Sequence, residues 1–203
     1  MIRTGMRKRT VVIGCLVGIV GAAAADPKAE QQTARQQAID EARKAGILGP
    51  KPGAELAALA KVMAGEWTCT GELFTPAGAA VKMTGHMTNA IALDGRWLHE
   101  SMDVTVPPAM HVGFEAFITF DARPKKWRRI EVDSVGNHTI SSAVPTTTGK
   151  LEWLSDETNA DGKVDQQRTH FDGSDPKKLH VLGDQSIDHG KTWLKSADLT
   201  CTK

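Results

Sequence analysis

Proton-transfer chemistry needs ionisable side chains held together on one surface, and the densest such group in this chain is Arg129, Glu131 and Asp133. Side chains at i and i+2 of an extended strand point the same way, so the three share a face. That spacing suits a pair of carboxylates beside a cation. It suits equally the charge-laced outer face of a strand, which is the reading adopted for it. Glu100, Asp103 and Glu115 are further carboxylates in alternating runs. The seven histidines, His86, His99, His111, His138, His170, His180 and His189, include neither an i, i+4 pair nor a His-x-His, so no metal site is expected. A haem needs a single axial histidine. His170, two residues from Arg168, and His99, two from Trp97, are the candidates for one; otherwise no cofactor is expected. Asp133-Ser134-Val135-Gly136 lacks the leading glycine of a nucleophile elbow and reads as a turn. With no phosphate loop, dinucleotide fingerprint or Cys-x-x-Cys, no catalytic residue is assigned.

The aromatic residues point to binding instead. Trp67, Trp97, Trp127, Trp153 and Trp193 fall in separate segments, and tyrosine is absent. In a closed sheet such residues either fill the interior or wall a cavity. Met83 and Met87 share a face with Val81 and Ile91 and would add soft, adaptable lining. The candidate ligand contacts are therefore Trp97, His99, Trp127, Trp153, Arg168 and His170.

The chain begins with an export signature. Arg3, Arg7, Lys8 and Arg9 precede an apolar run over 11–20 and the small residues Ala23, Ala24 and Ala25, the layout of a secretory signal peptide cleaved after Ala25. A periplasmic or secreted protein is expected, since the apolar run is too short to span a bilayer. Lipidation at Cys15 is disfavoured because almost no apolar residues precede it. Loss of the head removes four of 25 basic residues and no acidic ones, leaving 21 against 24 and a formal charge of −3. Such a balance offers no footprint for nucleic acid. It also leaves two cysteines, Cys69 and Cys201, which an oxidising compartment allows to pair; two buried thiols are the alternative.

Residues 26–52 are rich in Ala, Gln, Glu and Lys with little apolar moment, and predict a solvated helix over 28–45 ended by Gly46, or a spacer. Pro50, Pro52 and Gly53 mark a boundary. Leu56, Leu59, Ala60 and Met63 then recur at helical spacing, predicting a short capping helix. After Gly65 the period becomes two, in runs near 66–74, 80–93, 96–105, 111–121, 126–134, 137–144, 150–156, 163–171, 178–186 and 192–201. Asp94-Gly95 and Asp161-Gly162 are hairpin signals, and 121–124, 134–137, 172–176 and 188–191 are longer turns. Ten hairpin-linked strands predict an all-β, up-and-down antiparallel barrel over 53–203, with short N-terminal helices. An even number makes first and last strands antiparallel neighbours, as a Cys69 to Cys201 bond requires.

Gly65-Glu66-Trp67 after a short helix resembles the Gly-x-Trp opening of calycin barrels, the lipocalin and nitrobindin type. Together with Leu93-Asp94-Gly95-Arg96-Trp97, Phe120-Asp121, Lys126-Trp127 and Val132-Asp133-Ser134, it resembles the DUF1579 family over 53–203. The resemblance implies that Trp67 plugs the closed end of a calycin-like barrel under a basic side chain from the last strand, a place Lys195 would take. It implies no settled activity. The expected role is non-catalytic binding of a small, mostly apolar or amphipathic ligand by a monomer, without integral membrane contact. Three alternatives stay open: a hydrolase or isomerase at the barrel mouth, a nitrobindin-like haem binder, and an interaction module with a filled interior.

Overall fold

The computed structural model describes residues 27–46, 53–75, 77–108, 110–147, 150–158 and 164–203. The expected export head with Cys15 and Ala25, the boundary residues Pro50 and Pro52, and the expected Asp161-Gly162 hairpin signal lie outside them. The chain divides into two compact units, 1–49 and 50–203. In the first, helix α1 (Pro27–Lys44) is exposed along most of its length. It places Glu30 in its first turn and Arg43 and Lys44 in its last, each sign opposite to the nearby end of the helix dipole. Arg43 pairs with Asp40 one turn back at 2.6 Å. Gly46, at φ 72°, adopts the left-handed conformation that stops a helix.

The second unit opens with α2 (Ala54–Met63), which buries Leu56, Leu59 and Met63 on one face. Ten strands follow: β1 (Gly65–Phe74), β2 (Ala80–Ala92), β3 (Trp97–Val106), β4 (Met110–Asp121), β5 (Lys126–Asp133), β6 (His138–Thr147), β7 (Lys150–Thr158), β8 (Val164–Asp175), β9 (Lys178–Ser186) and β10 (Leu194–Thr202). Each pairs with its neighbours in sequence, and β1 pairs with β10, closing an antiparallel up-and-down barrel. The β2–β3 turn takes positive φ at Leu93, Asp94 and Gly95 (50°, 57° and 76°), as the hairpin signal requires. β8 runs past the expected end at 171, because a bulge between Asp172 and Asp175 keeps the turn-like residues 172–175 within the strand.

The seam between β1 and β10 is held in two ways. Cys69 stands directly opposite Cys201, and their sulfurs are bonded at 2.03 Å. Two residues on, Gly71 faces Leu199 so closely that a Cβ would sit 2.1 Å from the Asp198 carbonyl oxygen. Only glycine lets the backbones meet there.

The interior is filled at one end. α2 lies across it, and Leu56, Leu59 and Met63 pack with Trp67, Leu98, Ile118, Trp127 and Trp153. Trp67 is 1% exposed and its Nε1–H donates to the Met63 carbonyl at 2.7 Å, tying strand to helix. The basic side chain over Trp67 is Lys203, with Nζ 4.5 Å from the ring centroid and donating to the Val62 carbonyl. The resemblance-based expectation of Lys195 is corrected. Thr68 faces Thr202, so the residue just beyond β10 reaches Trp67, whereas Lys195 lies at the far end, over Phe74 and paired with Asp198.

The β1–β10 ladder persists without the sulfur bridge, so the Cys69→Ala/Cys201→Ala double variant should fold with unchanged strand content by circular dichroism. Its stability in urea should fall by no more than about 5 kcal/mol, the chain-entropy bound for a long loop.

Candidate functional site

Alternation along the strands decides what reaches the interior. On β3, Leu98, Glu100, Met102 and Val104 point inward; on β5, Trp127, Arg129 and Glu131 do. Beyond the packed end these side chains enclose a cavity of about 330 Å³ that opens away from α2. Its walls are chiefly apolar: Met83, Met87 and Met102, Phe114 and Phe171, Leu73, Val104, Val181 and Leu199, with Cys201 of the disulfide. The size is at the lower end of the range for small-molecule sites, about 300–1,000 Å³.

Three charged side chains line that cavity among the described residues, and they touch one another. Glu100 on β3 and Glu131 on β5 stand in one cross-strand row with Ala116 of β4 between them. The small Ala116 leaves room for Arg129, next on the same face of β5, to reach both carboxylates. Its Nη2 donates to Glu100 Oε1 at 2.8 Å and to Glu131 Oε2. Side-chain exposure is 6% for Glu100, 13% for Arg129 and 22% for Glu131. Burial works against the Arg129 charge, but Glu100 and then Glu131 outweigh it through charge and hydrogen bonding, and the guanidinium pKa is raised. One nitrogen carries both bonds, so Arg129 Nε and Glu100 Oε2 are buried without a hydrogen-bond partner. Asn89, opposite Glu100 on β2, is 3% exposed, and neither its amide nitrogen nor its oxygen has one.

The outer-face reading of Arg129 and Glu131 is thus corrected, while Asp133 goes to another task. Its carboxylate accepts N–H bonds from Val135 and Asn137 and organises the β5–β6 turn. Desolvation opposes the effect, but the Asn137 bonds and those of Val135 and Gly136 together outweigh it and lower its pKa.

The six candidate contacts separate into two groups. Trp127 and Trp153 point inward, edge-on to Phe120 and Phe171, and belong to the packed end. Trp97, His99, Arg168 and His170 alternate with the buried Leu98, Glu100 and Phe171 and so stand on the outer face, away from the cavity. His99 stacks on Phe117 at 4.8 Å and meets Glu115 at 2.5 Å. Arg168 bonds Asp184 and lies 4.3 Å over Trp193, and His170 faces Glu152 and Asp184. No histidine lines the cavity among the described residues, so an axial ligand for an interior haem is not on its walls. Nor do three or more His, Cys, Asp or Glu converge among them as a metal site would require.

Sequence reasoning missed Glu100 as a partner of Arg129. The signal lay in the strand register: Glu100, Ala116 and Glu131 become a row only once three strands are aligned.

Residues 51–195 match the model of a family described as "Protein of unknown function (DUF1579)". No curated protein matches the chain. Among solved structures, the S-type phycobiliprotein lyase CPES from Guillardia theta is similar in fold, with a TM-score of 0.53 and 8% identity over 73% of this chain and 92% of that one.

Removing the guanidinium would strand two buried carboxylates, so Arg129→Ala should cost about 3–5 kcal/mol at pH 7. By contrast, Glu100→Leu/Arg129→Met/Glu131→Leu should be near neutral in stability. Urea unfolding of both variants at pH 7 checks this.

Proposed function

The chain belongs to the DUF1579 family, and from that premise and the geometry of its barrel we propose that it binds a small, mostly apolar molecule in the open half of the barrel, without chemical conversion. The observation that carries the reading is the cavity of about 330 Å³, its walls chiefly apolar with Gln167, Thr169 and Ser196 among them, and charged at the Glu100–Arg129–Glu131 group. An apolar wall removes ligand surface from water, and a few fixed polar groups orient what enters. The open half argues against a barrel packed throughout. The likeness to a phycobiliprotein lyase supports the fold and, at 8% identity, transfers no activity.

The inward convergence of Glu100 and Glu131 favours a second reading, acid–base catalysis at the same group. Two features weigh toward binding. Both carboxylates are paired with one guanidinium instead of standing free toward the cavity. No histidine lines the cavity to exchange protons near neutrality.

The site of action in this proposal is outside the cytoplasm, after cleavage at Ala25. The disulfide fits an oxidising compartment. None of the described helices is long and apolar enough to cross a membrane.

A neutral apolar fluorophore, N-phenyl-1-naphthylamine, should bind saturably at one site per chain. Ala197→Trp, which places an indole among the cavity walls, should abolish that binding while thermal unfolding shows a folded barrel. Equal binding by the variant would remove the interior as the site. Native mass spectrometry of protein recovered from its own host should show a co-purifying small molecule on a chain beginning at Asp26.

A further inference from the structure

Resting on the reading that the cavity holds a ligand, we infer that it selects an apolar molecule with a cationic nitrogen head group, an alkyl- or arylalkylammonium, over a carboxylate-headed one of the same size. The charges on the walls decide the sign. Two carboxylates, Glu100 and Glu131, face one guanidinium, Arg129, and no other charged side chain lines the cavity among the described residues. The group therefore carries a formal −1 in apolar surroundings. An ammonium head brings that sum to zero, whereas a carboxylate head takes it to −2. Low local dielectric makes the difference larger than it would be in water.

Gln167, Thr169 and Ser196 on the walls carry donors and acceptors that serve either head, but the hydrogen bonding of the charged group points the same way. Glu100, with its side chain 6% exposed on the cavity wall, has one oxygen without a donor. An ammonium offers three N–H donors and no acceptor, while a carboxylate offers only acceptors. The remaining donors of the group belong to Arg129, whose guanidinium is flanked by two carboxylates that repel an anion approaching it. Met83, Met87 and Met102 provide polarizable walls for the apolar body.

The test is displacement of N-phenyl-1-naphthylamine at pH 7 by octylamine, octanol and octanoate, which share a chain and differ in head group. Octylamine, protonated at this pH, should displace the probe at a concentration at least about tenfold below that of octanoate, with octanol between them. Glu131→Gln brings the group to formal neutrality and should cut the amine-over-acid ratio by about tenfold. Glu131→Asp, which keeps the charge, should preserve it. If octanoate displaces the probe as well as or better than octylamine, the inference falls while the cavity remains a binding site. An unchanged ratio in a folded Glu131→Gln overturns it as well. If the wild-type protein binds neither the probe nor any of the three, the cavity reading fails and the inference fails with it.

Discussion

Closure of the sheet between β1 and β10 is the constraint on which everything else rests. An open ten-stranded sheet would leave two bare edges and two solvated faces; joining the edges turns one face into an interior. The seam achieves this through backbone proximity as well as covalent chemistry. Gly71 admits the Asp198 carbonyl where a side chain would exclude it, and Cys69 and Cys201 lock the same register from the inner face. Register at the seam then fixes inside and outside for all the strands, because a slip of one residue would exchange the two faces. Had β10 shifted by one, Cys201 would have pointed outward and Thr200 inward.

Once an interior exists, the two halves of the barrel solve the filling problem differently. Near α2, tryptophans and the helix residues Leu56, Leu59 and Met63 occupy the volume, and Trp67 is anchored to the helix by hydrogen bond and capped by Lys203. Toward the other end the walls are methionine, valine, leucine and phenylalanine with space between them. Glu100, Arg129 and Glu131 sit midway along their strands, between these halves. A stability argument does not require them there, since well-packed hydrophobic residues commonly match or exceed a buried ion group. Their position at the inner end of the open half is what a head-group site needs.

Much of this was legible in the sequence. The change of period at Gly65, the turn chemistry and two cysteines near the two ends of the repeat specified ten strands and their closure, and helices α1 and α2 followed from composition and spacing. Which face of each strand points inward was harder to read. On β5 both faces carry apolar residues: Trp127 is 4% exposed, while Ile130 and Val132 on the opposite face are 41% and 48% exposed. Hydrophobicity alone therefore cannot assign that strand, and the charged Arg129 and Glu131 went to solvent by default. The candidates on β3 and β8 were hard to place for the same reason, because Trp97, His99, Arg168 and His170 have the chemistry of ligand contacts and the parity of outer-face residues. Lys195 was misplaced by distance along a strand rather than by facing.

The β5 pattern also shows why the charged interior group is better understood as selected than as incidental. The strand holds its aliphatic residues outside and its guanidinium and carboxylate inside, against the usual partition. Exchanging the two sets would bury Ile130 and Val132 and return two charges, Arg129 and Glu131, to water, a gain for β5 by ordinary transfer energetics. The barrel forgoes that gain, and Ala116 keeps open the gap through which one arginine serves two strands. A stability cost confined to one inner wall, with a donor and an acceptor left unpaired beside a cavity, is what the proposed binding site would account for and packing alone does not.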